Sequence, residues 1–189
     1  MWYIRTLAAY LMSMNKINID GVLIVEGKDD VCYLSNFVNA LFFITNGYDL
    51  SEEKIEFLKV ANKRNKLIVY TDPDEAGETI RNTIKSRINP VFEAKSQKII
   101  RKNKKKFGVA ELEKEEVLRS LEPFVSKTPL VRYNYGLASI ISLSENPQET
   151  RSKIINQYRL IDGNNKFIEN ELNILKISHK ELLELVNGN

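Results

Sequence analysis

The sequence predicts an α/β protein: a central, mainly parallel sheet covered by helices, followed by a small all-α C-terminal domain. Three observations carry this. Short apolar, β-branched runs recur at Val22-Leu-Ile-Val25, Phe42-Phe-Ile-Thr45 and Leu67-Ile-Val-Tyr-Thr71. Segments with helical periodicity lie between them, and strand and helix alternate through short connections, which gives parallel pairing. Beyond residue 121 the strand signal fades and only helical spacing remains.

The elements follow in order. Val22–Val25 has the continuous apolar character of a strand buried on both faces. Asp29 and Asp30 supply first-turn acids to a helix expected to run to about Ala40, with Val31, Leu34, Phe37, Val38 and Leu41 on one face. The second strand, Phe42–Thr45, stops at the turn signal Asn46-Gly47. Ser51 is placed to cap a helix with Ile55 and Leu58 on its apolar side. After the third strand, Pro73 and Gly77 precede a helix to about Arg87 carrying Ile80, Ile84 and Ile88, and Pro90-Val-Phe-Glu93 reads as a fourth strand. Glu113–Leu121 is helical, and the stretch from Glu122 to Pro129 marks a boundary. The expected organisation is an N-terminal extension over residues 1–18, an α/β domain over 19–121, a linker over 122–136 and a helical domain over 137–189.

The chain has 189 residues, 43% hydrophobic and 28% charged, with a net charge of +3. That is an ordinary globular composition with a mildly basic balance, so any nucleic-acid argument rests on where the charge sits. Cys32 is the only cysteine and His179 the only histidine. An internal disulfide and a cysteine-built zinc site are therefore excluded, and a His-based metal cage or a Ser-His-Asp triad is not expected. Cys32, among apolar neighbours, is expected in the core, and His179 on the surface. Arg5 followed by Leu7-Ala-Ala-Tyr-Leu-Met12 resembles a weak signal peptide, but the apolar run is short and lacks a small-x-small cleavage site. The expectation is an amphipathic extension, or a natural start at Met12 or Met14. No segment approaches the roughly 20 apolar residues that span a bilayer, and a cytoplasmic location without membrane association is expected.

The chemistry gathers at strand exits. Glu26-Gly27 follows the first strand, and Asp72-Pro73-Asp74 follows the third. In an open parallel sheet, ligands bind beyond the carboxyl ends of the strands, so these acids should converge on one rim. Residues i and i+2 of an extended exit point the same way, which lets Asp72 and Asp74 face one cation, and Pro73 stiffens the bracket. An all-oxygen set suits Mg²⁺, or Mn²⁺ in its place. Such a cation neutralises charge on a phosphodiester and acidifies an attacking water. Glu26 is then a further ligand or the general base. Asp-Pro-Asp alone is a common turn composition; the strand-Glu-Gly element upstream gives it chemical meaning.

The pair Val25-Glu26-Gly27-Lys28-Asp29-Asp30 and Thr71-Asp72-Pro73-Asp74-Glu75-Ala76-Gly77 resembles the signature of the Toprim domain. Within that group the chain is most similar to the 5S ribosomal RNA maturases. The likeness includes Thr45-Asn46-Gly47, the run from Thr71 to Arg81, Lys102-Asn103-Lys104-Lys105 before Gly108-Val109, Tyr135-Gly136-Leu137, Arg151 and Leu172–Ile177. It covers nearly all of residues 19–186. Two places depart: Gly108-Val109-Ala110-Glu111 is one residue longer than the family's Gly-Val-Glu, and Gly163-Asn164-Asn165-Lys166 is a compressed turn. The resemblance implies catalytic and metal-binding roles for Glu26, Asp72 and Asp74, with Mg²⁺ as cofactor. It also implies a precursor 5S ribosomal RNA substrate cut in its double-stranded terminal helix, and a 5S-binding ribosomal protein as partner. A Toprim enzyme acting on DNA, and a non-catalytic RNA-binding assembly factor, are the competing expectations.

From Arg81 to Lys106 the chain holds Arg81, Lys85, Arg87, Lys95, Lys98, Arg101, Lys102, Lys104, Lys105 and Lys106 against a single acid, Glu93. Charge runs are commonly solvated faces, but this one directly follows a candidate phosphoryl site. Phosphate contacts from such a strip position a duplex without reading its sequence. Lys28, Arg81, Lys102, Lys104, Lys105 and Lys106 are the expected RNA-binding residues.

Overall fold

The computed structural model describes residues 16–47, 50–95, 108–161 and 163–188. By their contacts these fall into two compact units. One holds the described residues up to Leu50 and those from Lys66 to Leu130; the other holds Ser51–Asn65 and the described residues from Val131 onward.

The first unit is built on a five-stranded sheet. Its strands are β1 (Ile17–Val25), β2 (Val38–Ile44), β3 (Leu67–Val69), β4 (Phe92–Glu93) and β5 (Val125–Ser126). The helices of this unit are α1 (Lys28–Leu34), α3 (Glu75–Arg87) and α4 (Lys114–Leu121), and a 3₁₀ turn spans Val109–Glu111. The parallel order is β2-β1-β3-β4, and β5 joins antiparallel to the start of β1, with Asn18 opposite Ser126. Pairing slips between Asn18 and Val22, where Gly21 adopts φ +150°. A Cβ at Gly21 would stand 2.7 Å from the Lys66 carbonyl oxygen, so only glycine fits that bulge.

The alternation of side chains divides the core. Leu23 and Val25, Val38, Ala40 and Phe42, and Ile68 and Tyr70 pack on one face with Leu34, Val109, Leu112, Val117 and Leu121. Val22, Ile24, Leu41, Phe43, Leu67 and Val69 occupy the alternate positions and are equally buried. Burial on both faces is why the strands read as unbroken apolar runs.

The structure corrects three expectations. The first helix ends at Leu34 rather than near Ala40, because Val38–Ala40 already belong to β2, where Val38 and Asn39 pair with Ile17 and Asn18. Cys32 is exposed, on the solvent side of α1. His179 is partly buried, and its ring stacks on Tyr135 at 6.1 Å and 17°. Most of the N-terminal extension lies outside the described residues.

The second unit contains α2 (Glu52–Asn62), α5 (Leu137–Ser142), α6 (Pro147–Tyr158), α7 (Asn165–Ile174) and α8 (His179–Asn187). The carbonyls that end α7 are satisfied from the α2 side: Arg64 donates to Leu175 and Asn65 to Ile174, both at 2.6 Å. Buried Asn173 grips the backbone of Tyr133 at both its N–H (2.7 Å) and its carbonyl (3.0 Å). The Tyr135 hydroxyl donates to the Ile177 carbonyl at 2.5 Å. Among the described residues no helix is long and apolar enough to cross a membrane.

Candidate active site

The order β2-β1-β3 places the topological switch between β1 and β3, since the chain leaves β1 toward β2 and returns on its other side. A crevice opens at the carboxyl ends of two such strands. Glu26 leaves β1 at that point and Asp72 leaves β3, and the two are joined directly: the Asp72 N–H donates to Glu26 Oε1 at 2.8 Å. Both side chains are half-buried.

Asp74 is exposed and caps α3, its Oδ1 accepting the Gly77 N–H at 2.9 Å. Gly77 is required there. A Cβ would lie 2.1 Å from the Asp72 carbonyl oxygen and 2.8 Å from Glu26 Oε1, so the first turn of α3 presses against both acids. The Thr71–Asp72 backbone is also held from α3 by Arg81. Its Nη1 donates to Thr71 Oγ1 (2.7 Å) and to the Asp72 carbonyl (2.8 Å). Arg81 also lines a shallow polar cleft with Thr71, Pro73, Asn82 and Lys95. Lys28, the first residue of α1, is exposed. Lys102, Lys104, Lys105 and Lys106 lie outside the described residues.

Two contributors escape the sequence reading as site residues. Asp30 is 8% exposed and accepts the Gly27 N–H at 2.9 Å. One turn into α1, it returns to the β1 exit and acts electrostatically on both Glu26 and Asp72. Its signal was the spacing of four from Glu26 across a strand-to-helix turn. The other is the turn Gly108–Glu111, whose Val109 N–H donates to Asp72 Oδ1 at 2.5 Å. A backbone amide carries no residue-type signature, so nothing in the sequence marked it.

The electrostatics are those of crowded acids. Burial raises the Glu26 carboxyl to about 6, against the Asp72 N–H, which lowers it, and with the charges of Asp72, Asp74 and Asp30 raising it further. Burial also raises Asp72, opposed by the Val109 N–H and helped by Asp30, Asp74 and Glu111. Asp30 moves up for the same leading reason. Crowded, half-desolvated carboxylates of this kind fit a hard dication, which offsets their mutual repulsion. Among the described residues no three Asp, Glu, His or Cys side chains, Glu26, Asp72 and Asp74 included, are grouped so that together they could hold a metal ion.

Comparison with known proteins agrees with this geometry. A family model for the Toprim domain matches residues 21–108, the stretch from the Gly21 bulge to the Gly108 turn. The ribonuclease M5 of Mycoplasma genitalium is 28% identical over 168 residues, covering 88% of this chain and 94% of that protein. That of Mesoplasma florum is 38% identical over 109 residues, 56% of this chain and 62% of its own. The ribonuclease M5 of Borreliella burgdorferi is 31% identical over 169 residues, 87% of this chain and 91% of its own length. The likeness thus extends through both the acidic rim and the helical unit, and the chain, which carries a Toprim domain, belongs to the ribonuclease M5 family.

Proposed function

We propose that this chain is the endoribonuclease that matures precursor 5S ribosomal RNA, hydrolysing phosphodiesters in the double-stranded terminal helix with Mg²⁺. The observation that carries the reading is the joined pair Glu26 and Asp72 at the switch point of the sheet, in a chain of this family.

Asp72 and Asp74 are the proposed holders of the cation, each by a carboxylate oxygen, since Asp72 Oδ1 and Asp74 Oδ1 are engaged by backbone N–H groups. When bound, the cation supplies charge neutralisation at the phosphate and a more acidic water. Glu26 is the proposed general base, the residue that would hold the proton of the attacking water. Its carboxyl at about 6 is basic enough to accept a proton and ionised at neutral pH, the range in which a general base works best. The Asp72 N–H keeps Glu26 oriented at the β1 exit, and Arg81 keeps the Asp72 backbone from moving. Phosphates along the duplex fall to Lys28, Arg81, Lys102, Lys104, Lys105 and Lys106. A-form RNA is read largely through its backbone and shape, which agrees with a lysine-rich strip that follows the acidic motif in sequence. A 5S-binding ribosomal protein is the proposed partner that presents the substrate.

The test is incubation of the purified protein with precursor 5S RNA, with and without that ribosomal protein, and mapping of the new ends. Mg²⁺-dependent cuts in the terminal helix, absent from an unrelated RNA hairpin, support the proposal. An intact precursor under both conditions overturns it.

A further inference from the structure

We propose that the backbone amide of Val109 is a positioning group for Asp72, and that Gly108 exists to let that amide reach the carboxylate. The inference rests on the site reading above and adds residues from a turn far along the chain from either acidic motif.

The geometry is specific. The Val109 N–H donates to Asp72 Oδ1 at 2.5 Å. A Cβ on Gly108 would stand 2.8 Å from Asp72 Oδ2 and 3.2 Å from Oδ1, so the turn lies flush against the carboxylate. Real side chains do not tolerate that approach, and Asp72 has only a short stem with which to yield. The turn is itself fixed. Glu111 N–H donates to the Gly108 carbonyl at 3.0 Å, Val109 is 1% exposed within the core, and Leu112 beside it is 2% exposed. Asp72 meanwhile faces the charges of Asp30, Asp74 and Glu111. Left alone, the carboxylate would rotate away from those like charges. The amide holds it in place and leaves Oδ2 as the oxygen for chemistry.

Val109 permits an unusually clean test. Gly108 has φ −101° and ψ 168°, an extended conformation that a following proline accepts. Val109 opens the 3₁₀ turn, a position at which proline is tolerated. Val109→Pro therefore keeps the backbone path, removes the donor and sets its ring Cδ where the hydrogen pointed, so the Asp72 carboxylate must swing off the turn. Val109→Ala keeps the N–H and loses packing, so the ratio between the two variants reads how much the hold of this turn on Asp72 matters.

The measurements are Mn²⁺ binding by calorimetry without RNA, and single-turnover cleavage and RNA affinity with precursor 5S RNA. Relative to Val109→Ala, Val109→Pro should bind Mn²⁺ and cleave about tenfold more weakly, in line with loss of a hydrogen bond to a charged group. RNA affinity should match between the two. Equal Mn²⁺ affinity in the two variants overturns the inference, whatever happens to cleavage. Should Val109→Pro fail to fold, Gly108→Ala replaces it, with circular dichroism as the folding check and the same loss expected. Failure of the wild type to cut RNA would count against the proposed function alone, because the metal titration tests the amide without substrate.

Discussion

Replacing Glu26 with Gln removes one titrating carboxyl and keeps an oxygen to accept the Asp72 N–H. The carboxyl rises from 4.5 to about 6 on folding, chiefly through burial. A rise of about 1.5 in pKa corresponds to about 2 kcal/mol of differential stability. Glu26 is only half-buried, so solvent screening brings the useful figure to about 1 kcal/mol. The sign follows from proton linkage. The folded state keeps its proton to higher pH than the unfolded chain, so this group's stabilisation is complete below pH 4.5 and is lost as pH rises through about 6. Glu26→Gln should therefore be more stable than the wild type by about 1 kcal/mol near pH 8 in chelator, and equal to it near pH 4. Urea unfolding followed by tryptophan-independent circular dichroism measures both. Adding Mg²⁺ should stabilise the wild type more than the variant, because a cation that favours the native state offsets the same repulsion. A variant that is less stable by the same amount at both pH values would refute the claim that Glu26 sits in a repulsive, desolvated cluster.

Three further outcomes follow from the geometry. Asp74→Asn preserves a good helix cap and should fold normally while losing cleavage, whereas Asp74→Ala should also cost about 1 kcal/mol of stability by thermal melting; wild-type cleavage by a normally stable Asp74→Asn would assign Asp74 to the cap alone. Gly77→Ala places a Cβ 2.1 Å from the Asp72 carbonyl and should cost about 2 kcal/mol or more, although alanine favours helices; a neutral or stabilising effect in urea would show that this loop yields freely. Replacing Lys102, Lys104, Lys105 and Lys106 with Ala should lower the salt slope of RNA binding by about 0.7–0.9 per lost phosphate contact. An unchanged slope in filter-binding titrations would remove the strip from the interface.

Much of the sheet was legible because its strands are buried on both faces, so Val22–Val25 and Leu67–Val69 stand out as runs that no surface helix would carry. The boundary near residue 38 was not legible. Val38 and Leu41 fit a helical stripe after Leu34 as well as they fit a strand, and pairing of Ile17 and Asn18 with Val38 and Asn39 decides for the strand. That pairing is tertiary, and local periodicity does not contain it. Two-residue β5 is shorter than any pattern and exists only because β1 offers it an edge. The meeting of Glu26 and Asp72 on one rim was legible from the strand exits, since topology brings those exits together. Their supports were harder to see. Asp30 reads as an ordinary first-turn acid, Arg81 as one more base in a basic run, and the Val109 amide as nothing at all.

The central claim is that Asp72 belongs to a metal-dependent hydrolytic centre and does not merely shape the fold. The most direct measurement compares Asp72→Asn with the wild type on end-labelled precursor 5S RNA, in Mg²⁺, at protein concentrations that saturate binding. The account predicts a folded variant that binds the RNA as well as or better than the wild type, since a negative charge facing phosphates is gone, and that releases no cleaved product. Wild-type cleavage by Asp72→Asn, or cleavage by either protein in chelator, would contradict it.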